Sequence, residues 1–337
     1  MKATLSPLSI AVVGAGGIVT AAHLPAIANL PGVGLAWIAD RDLARARLVA
    51  KSYGTPAVGD DVLTRADLPA FDILLLAIPY GPRRAFYERF KGPSVGWYVE
   101  KPFAKTAAEH RELCALAPAH GMACGFQRRA SGLVRVTREL ILSGVFGRPE
   151  RVEIGLGYRG RIVDGGGYAA DPRQAGGGVL TEVGIHCVDA VLHLLDARAV
   201  SLQTARTVLD QGMDVHTDAT IAVTTAGAGE VGLDLKVSIL EDTREDIVIH
   251  CEHASLEFSI FGQAGITVRP RRGGGGGPFQ ISDVRELYPR TSDQIFHAYW
   301  SAFVDGWRRR EANFTAAADC VLTTQIVEDI YNHARSQ

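Results

Sequence analysis

The chain has few cysteines, no long apolar run and almost no net charge, and each shortage removes a class of protein. Its five cysteines, Cys114, Cys124, Cys187, Cys251 and Cys320, are odd in number, scattered, and without a C-x-x-C pair. That spacing excludes a disulfide framework and a zinc knuckle, and the reduced thiols of a cytoplasmic protein are expected. No stretch approaches the roughly 18 apolar residues of a membrane span. The apolar run that begins after residue 7 is broken by Gly14 before it reaches the length of a secretory signal core. Neither a membrane partner nor an export signal is therefore expected. Lys and Arg number 35 against 37 Asp and Glu, a net charge of -2, so no overall basic field exists to hold a nucleic-acid backbone. Internal repeats and long linkers are absent as well.

What is abundant is glycine, 37 residues in a chain of 337 that is 47% hydrophobic and 21% charged. This is the balance of a globular protein, not of a disordered chain or a coiled coil. At roughly 100 to 200 residues per domain, the length predicts about two domains. Residues 1–126 alternate compact apolar runs (9–13, 34–39, 71–78, 95–99, 122–126) with helical spacing (18–30, 42–53, 106–120). That alternation reads as βαβ units on a parallel sheet, an α/β fold. Residues 127–337 change in texture: helices at 131–143, 179–195, 295–310 and 316–334 flank period-2 segments between 200 and 268. They predict an α+β domain with an open, largely antiparallel sheet. The glycine run within 271–278 reads as a flexible surface loop.

Between the first strand and the first helix lie Gly14, Gly16 and Gly17, followed by Ile18. Glycines at such a turn let a pyrophosphate approach backbone N–H groups closely. Asp40 ends the next strand and is placed to accept hydrogen bonds from a ribose diol. The third position of the fingerprint is Val19, larger than the pattern prefers. Asp40 would repel a 2'-phosphate, which favours NAD, whereas Arg41 beside it leaves NADP open. Asp42 reads simply as the cap of the following helix.

Three further motifs extend the pattern: Ile78-Pro79 at the end of the third apolar run, Glu100-Lys101-Pro102 at the end of a strand, and Gly176-Gly177-Gly178-x-x-x-Glu182-x-x-x-His186-x-x-Asp189. Together with His23-Leu24-Pro25-Ala26 and Gly125-Phe126-Gln127-Arg128-Arg129, in this order and spacing, the chain resembles the glucose-fructose oxidoreductase / inositol dehydrogenase (Gfo/Idh/MocA) family over essentially its whole length. The resemblance implies an N-terminal Rossmann domain and a C-terminal domain whose sheet assembles homodimers or homotetramers. It also implies a nicotinamide cofactor, met by Pro79, Glu100 and Lys101 besides the glycine turn, and hydride transfer at a carbon of a sugar, cyclitol or sugar-nucleotide.

Hydride transfer from an alcohol carbon needs one group to exchange the hydroxyl proton and another to stabilise charge on oxygen. Lys101, held beside Pro102, suits the second role, and the matching lysine of the family has it. A histidine side chain can exchange a proton near neutral pH, so His186 suits the first. On an α-helix Glu182, His186 and Asp189 share one face. The family carries an aspartate where this chain has Glu182, which then orients or charge-stabilises His186. Asp189 positions neighbouring helices or substrate hydroxyls. Gln127 and Arg129 either touch the nicotinamide side or brace the domain junction. Tyr168, downstream of Arg159 and Arg161, falls in the segment that faces substrate in such enzymes. Asp189 and His193 continue the stripe, but the spacing does not match H-E-x-x-H and no metal is expected. Two other readings share the fold: a glycosidase-like enzyme that uses tightly held NAD transiently, and a non-catalytic dinucleotide-binding sensor.

Overall fold

The computed structural model describes residues 7–160, 176–227, 229–262, 265–271, 277–282, 289 and 291–336. Arg161, Tyr168, Gly165 to Gly167 and most of the glycine loop lie outside the described residues. The chain forms two compact units, the first made of Met1–Ala104, Ala108–Gln127 and Ser292–Asp319, the second of Lys105–Ala107, Arg128–Thr291 and Cys320–Gln337. Residues 292–319, which the sequence pattern groups with the second half, thus pack in the first unit.

The first unit holds six parallel strands, β1 (Leu8–Val13), β2 (Val33–Ala39), β3 (Ala57–Val58), β4 (Ile73–Leu76), β5 (Gly96–Val99) and β6 (Met122–Cys124), in the order β3-β2-β1-β4-β5-β6. β4 and β5 are buried along their whole length, as expected for strands covered on both faces. The order reverses direction between β1 and β4, the point at which doubly wound sheets bind ligands beyond their carboxyl ends. The helix Leu43–Tyr53 begins where Asp42 accepts the Arg45 N–H at 3.1 Å, and it stops at Gly54, φ 62°. The helix expected over 106–120 is shorter, Ala107–Cys114, because Pro118 takes an extended conformation before the short turn Ala119–Gly121. The helix Ser292–Arg309 buries Ile295, Phe296, Tyr299, Trp300 and Phe303, a face spaced three and four residues apart. Tyr299 donates its hydroxyl to the Cys124 carbonyl at 2.5 Å, and Ala316 bridges to Ala123, so this late segment closes the β6 edge.

The second unit is built on eight strands: β7 (Pro149–Gly157), β8 (Ala197–Asp210), β9 (Met213–Thr225), β10 (Gly229–Ser238), β11 (Asp246–Cys251), β12 (Ala254–Phe258), β13 (Ile266–Pro270) and β14 (Phe279–Ile281). Their order is β14-β13-β12-β11-β7-β10-β9-β8, antiparallel throughout except for the parallel pair β7 and β10. Burial alternates along β10, β11 and β12, and the helices Ile185–Leu194 and Val321–Arg335 pack on the sheet. Among the described residues, no helix is long and apolar enough to cross a membrane.

A buried ion pair ties three segments of this unit together. Arg129, in the turn Gln127–Ala130, donates through Nε to Asp189 Oδ2 at 2.8 Å and through Nη2 to Oδ1 at 2.7 Å, with side chains 2% and 1% exposed. Thr323, on the helix Val321–Arg335, donates to the same carboxylate at 3.1 Å. Such a fork is geometrically specific, and losing one partner strands a charge where water cannot reach it. We therefore expect Arg129→Met to destabilise the fold by about 3–5 kcal/mol. The double substitution Arg129→Met with Asp189→Leu is expected to regain a large part of that loss, as read from urea midpoints. Additive losses would mean that the pair does not act as a unit.

Candidate functional site

At the end of β1 the chain turns at Gly14, φ 101°, where an added Cβ would lie 2.3 Å from the Ala77 carbonyl oxygen. Only glycine fits, because backbone and neighbouring strand occupy both the conformation and the space. Gly16 and Gly17 differ: nothing lies within 4 Å of where their Cβ atoms would sit. Packing within the protein does not require glycine there, and the open space suits a ligand that must approach the backbone. Asp40, at the end of β2, accepts the Ala15 N–H through Oδ2 at 2.8 Å and the Asp42 N–H through Oδ1 at 2.9 Å. Each oxygen keeps a second lone pair, enough to receive a diol. Arg45 comes within 4.0 Å of Asp40 and 3.5 Å of Asp42, and Arg41 and Ile18 are exposed. Val19 is fully buried as the first residue of a π-turn, Val19–His23, in place of the α-helical start expected.

Two more turns lie at the carboxyl end of this sheet. Half-buried Pro79 follows β4, and Glu100 and Lys101 follow β5, with a cis bond between Lys101 and Pro102. The Lys101 N–H donates to the Glu100 carboxylate at 3.2 Å. Arg83, 3% exposed, donates Nη1 to the carbonyls of Glu100 at 2.7 Å and Pro102 at 2.6 Å, and Nε to that of Ile78 at 2.9 Å. One guanidinium thereby joins the turn carrying Pro79 to the turn carrying Lys101. Gln127, 8% exposed, closes the unit with an Oε1 that meets no hydrogen-bond donor among the described residues. The first unit thus brings Gly14, Gly16, Gly17, Ile18, Asp40, Arg41, Pro79, Glu100 and Lys101 to one end of one sheet.

In the second unit, Glu182 stands in a π-turn, Leu180–Gly184, whereas His186 and Asp189 belong to the α-helix Ile185–Leu194. Glu182 thus precedes, in a wider turn, the α-helix that carries His186 and Asp189. His186 is 7% exposed, and Glu182 is half-buried. The Tyr158 phenol is pushed up by its own burial and then by the charges of Glu182 and Glu245. Asp189 is engaged by Arg129 in the buried fork described above. His193 is lowered to about 3 by burial, with the Arg129 and Arg138 charges adding, and stays neutral at ordinary pH. Arg159 is exposed beside Asp242. Tyr168 lies outside the described residues.

The turn that starts this helix is anchored by Asp214, a residue with no sequence motif to mark it. Fully buried, it accepts the N–H of Gly178 at 2.5 Å, the N–H of Leu180 at 2.7 Å and the Tyr331 hydroxyl at 2.5 Å. A Cβ on Gly178 would lie 2.0 Å from the Asp214 carbonyl oxygen. Burial, and then the Asp214 carboxylate, hold the Tyr331 phenol well above its ordinary value, so it remains a donor. Arg83 was legible in principle: it shares a helical face with Phe86, Tyr87 and Phe90, all buried, and so belongs to the core side of the helix Arg83–Phe90.

Comparison with known proteins agrees with this architecture. Residues 8–127 match the family model described as an oxidoreductase family with an NAD-binding Rossmann fold, and residues 134–257 match the GFO/IDH/MocA C-terminal domain. D-glucoside 3-dehydrogenase of Escherichia coli K12 is 30% identical over 202 residues, 58% of this chain and 56% of that protein's length. Among solved structures, an oxidoreductase from Agrobacterium radiobacter in complex with NAD+, L-tartaric acid and magnesium superposes with a TM-score of 0.76 at 21% identity, covering 98% of this chain and 97% of that one. Levoglucosan dehydrogenase, in complex with NADH and levoglucosan, superposes with a TM-score of 0.83 at 16% identity, covering 98% of each chain. Likeness at these identities concerns the fold, while the two family models account for most of both halves. The chain belongs to the Gfo/Idh/MocA family of NAD-binding oxidoreductases.

Proposed function

We propose that this protein is an NAD(P)-dependent dehydrogenase or ketone reductase that moves a hydride between nicotinamide and a carbinol or ketone carbon of a sugar, cyclitol or sugar-nucleotide. One observation carries the reading. The glycine turn with open space over Gly16 and Gly17, the Asp40 carboxylate and the braced Lys101 turn all sit at the carboxyl end of one parallel sheet. The substrates named for the relatives, a D-glucoside and levoglucosan, support a carbohydrate.

When bound, the dinucleotide supplies the hydride donor or acceptor. Gly14, Gly16, Gly17 and Ile18 admit its pyrophosphate, and Asp40 receives the ribose hydroxyls, which favours NAD over NADP. Arg41 and Arg45 soften that preference. Pro79 and Glu100 shape the wall beside the nicotinamide, where Gln127 offers an amide oxygen. The Lys101 ammonium polarises the reacting oxygen. His186 takes the hydroxyl proton during oxidation and returns it during reduction, with Glu182 tuning its charge. Arg129 and Asp189 act at one remove, by fixing the helix that carries His186. The reduced cysteines suit a reducing cytoplasm, and the face of the eight-stranded sheet that carries Arg151, Asp218 and Asp234 suits self-assembly.

Reduction of NAD by a panel of glycosides and cyclitols, followed by nicotinamide absorbance, tests the activity. Lys101→Met and His186→Ala are each expected to lower kcat/KM by about 10²–10⁴-fold. Full rates in both variants would refute the assigned roles. Asp40→Ala is expected to raise the KM for NAD about tenfold while affecting NADP less, because the lost interaction is worth roughly one charge-assisted hydrogen bond. Equal effects on the two cofactors would remove Asp40 from the ribose.

A further inference from the structure

Lys101 is held from the interior of the first unit. Glu100 turns its carboxylate back into the first unit. Oε2 accepts the Lys101 N–H at 3.2 Å, and Oε1 lies 2.9 Å from Nε2 of His23, a side chain with no exposed surface. On the far side of the imidazole, Trp300 aims its indole N–H at His23 Nδ1, 3.0 Å away. An indole nitrogen only donates, so Nδ1 must carry a lone pair. The ring proton is therefore on Nε2, directed at Glu100. The partners of the ring assign a single tautomer.

The surroundings leave no second arrangement. Tyr98 and Phe296 meet the imidazole edge-on at 5.0 Å each, and Trp300 stacks on Tyr98 at 4.3 Å. Gly125 is required opposite: a Cβ there would sit 2.7 Å from Glu100 Oε1. A largely buried chain of donors and acceptors thus runs from Trp300 through His23 and Glu100 to the Lys101 backbone. It meets the Arg83 bonds to the Glu100 and Pro102 carbonyls on the other side of the same turn. Hydrogen bonds away from water cannot exchange with solvent partners, so each link fixes the next.

We infer that His23 and Trp300 are positioning residues for Lys101: Trp300 selects the His23 tautomer, His23 orients the Glu100 carboxylate, and the carboxylate sets the peptide plane from which the Lys101 side chain departs. This rests on the reading of Lys101 as the group that polarises substrate. A misplacement of about 1 Å is enough to lower a rate about 10²-fold, so a side chain distant in sequence acquires leverage on kcat without touching a ligand.

The test uses the full chain with 15N-labelled histidine. Trp300→Phe keeps an aromatic ring against Tyr98 and removes only the N–H. His23→Leu removes the whole link, and His23→Gln restores a donor toward Glu100. Nitrogen shifts at neutral pH, assigned by the resonance lost in His23→Gln, are expected to show protonated Nε2 and bare Nδ1 in the wild type and a mixed signal in Trp300→Phe. Trp300→Phe is expected to lower kcat about tenfold with the KM for NAD within about twofold. His23→Leu is expected to lose more, and His23→Gln to regain most of that loss. Wild-type kcat in folded Trp300→Phe and His23→Leu, or a protonated Nδ1 in the wild type, would overturn the inference. Wild-type kcat in Lys101→Met would instead overturn the reading of Lys101, a separate failure that leaves the tautomer result standing.

Discussion

A backbone N–H removed from water must find an acceptor, and in this chain the turns that matter find theirs in carboxylate side chains. Asp40 takes the N–H of Ala15 in the glycine turn, Glu100 that of Lys101, and Asp214 those of Gly178 and Leu180. Each carboxylate is itself held: Asp40 by the Asp42 N–H, Glu100 by His23, Asp214 by Tyr331. A loop at a strand end would otherwise be the softest part of the fold. Charged acceptors make hydrogen bonds roughly twice as strong as neutral ones, so these loops hold a defined shape.

The same device explains where side chains are missing. Gly14, Gly125 and Gly178 lie where a Cβ would collide with a carbonyl or with the anchoring acid itself. Gly16 and Gly17 face open space, so one glycine-rich turn combines a packing requirement with room for a ligand. The glycine excess of the composition is in part the counterpart of the buried acids. The Arg129 and Asp189 pair applies this logic to helices, fixing the helix of His186 from its own side of the second unit.

Much of this was legible in the sequence. The continuous apolar runs of β1, β4 and β5, the Asp42 cap and the Gly54 stop are local signals, and they gave the first sheet and its glycine turn. Three kinds of information were not local. The helix Ser292–Arg309 reads as amphipathic, but no pattern says that its apolar face covers the first sheet. The π-turns at Val19–His23 and Leu180–Gly184 leave the apolar spacing nearly helical, so spacing alone does not separate them from an α-helix. Asp214, His23 and Trp300 act on partners 34 to 277 residues away, and such distances leave no periodicity to detect. Arg129 and Asp189 carried a readable charge, but their mutual burial and paired hydrogen bonds leave no trace in the spacing.

The central claim is that the geometry of these turns supports hydride exchange between a nicotinamide ring and a carbohydrate carbon. It is tested most directly by following the hydrogen. Wild-type protein would be incubated with NAD and a carbon-deuterated methyl glucoside, then with a deuterated cyclitol, and the nicotinamide weighed by mass spectrometry. The account predicts reduced cofactor carrying a single deuterium from one carbinol carbon of an accepted substrate. Reduced cofactor without deuterium, or substrate turnover with no label ever reaching the nicotinamide, would contradict it.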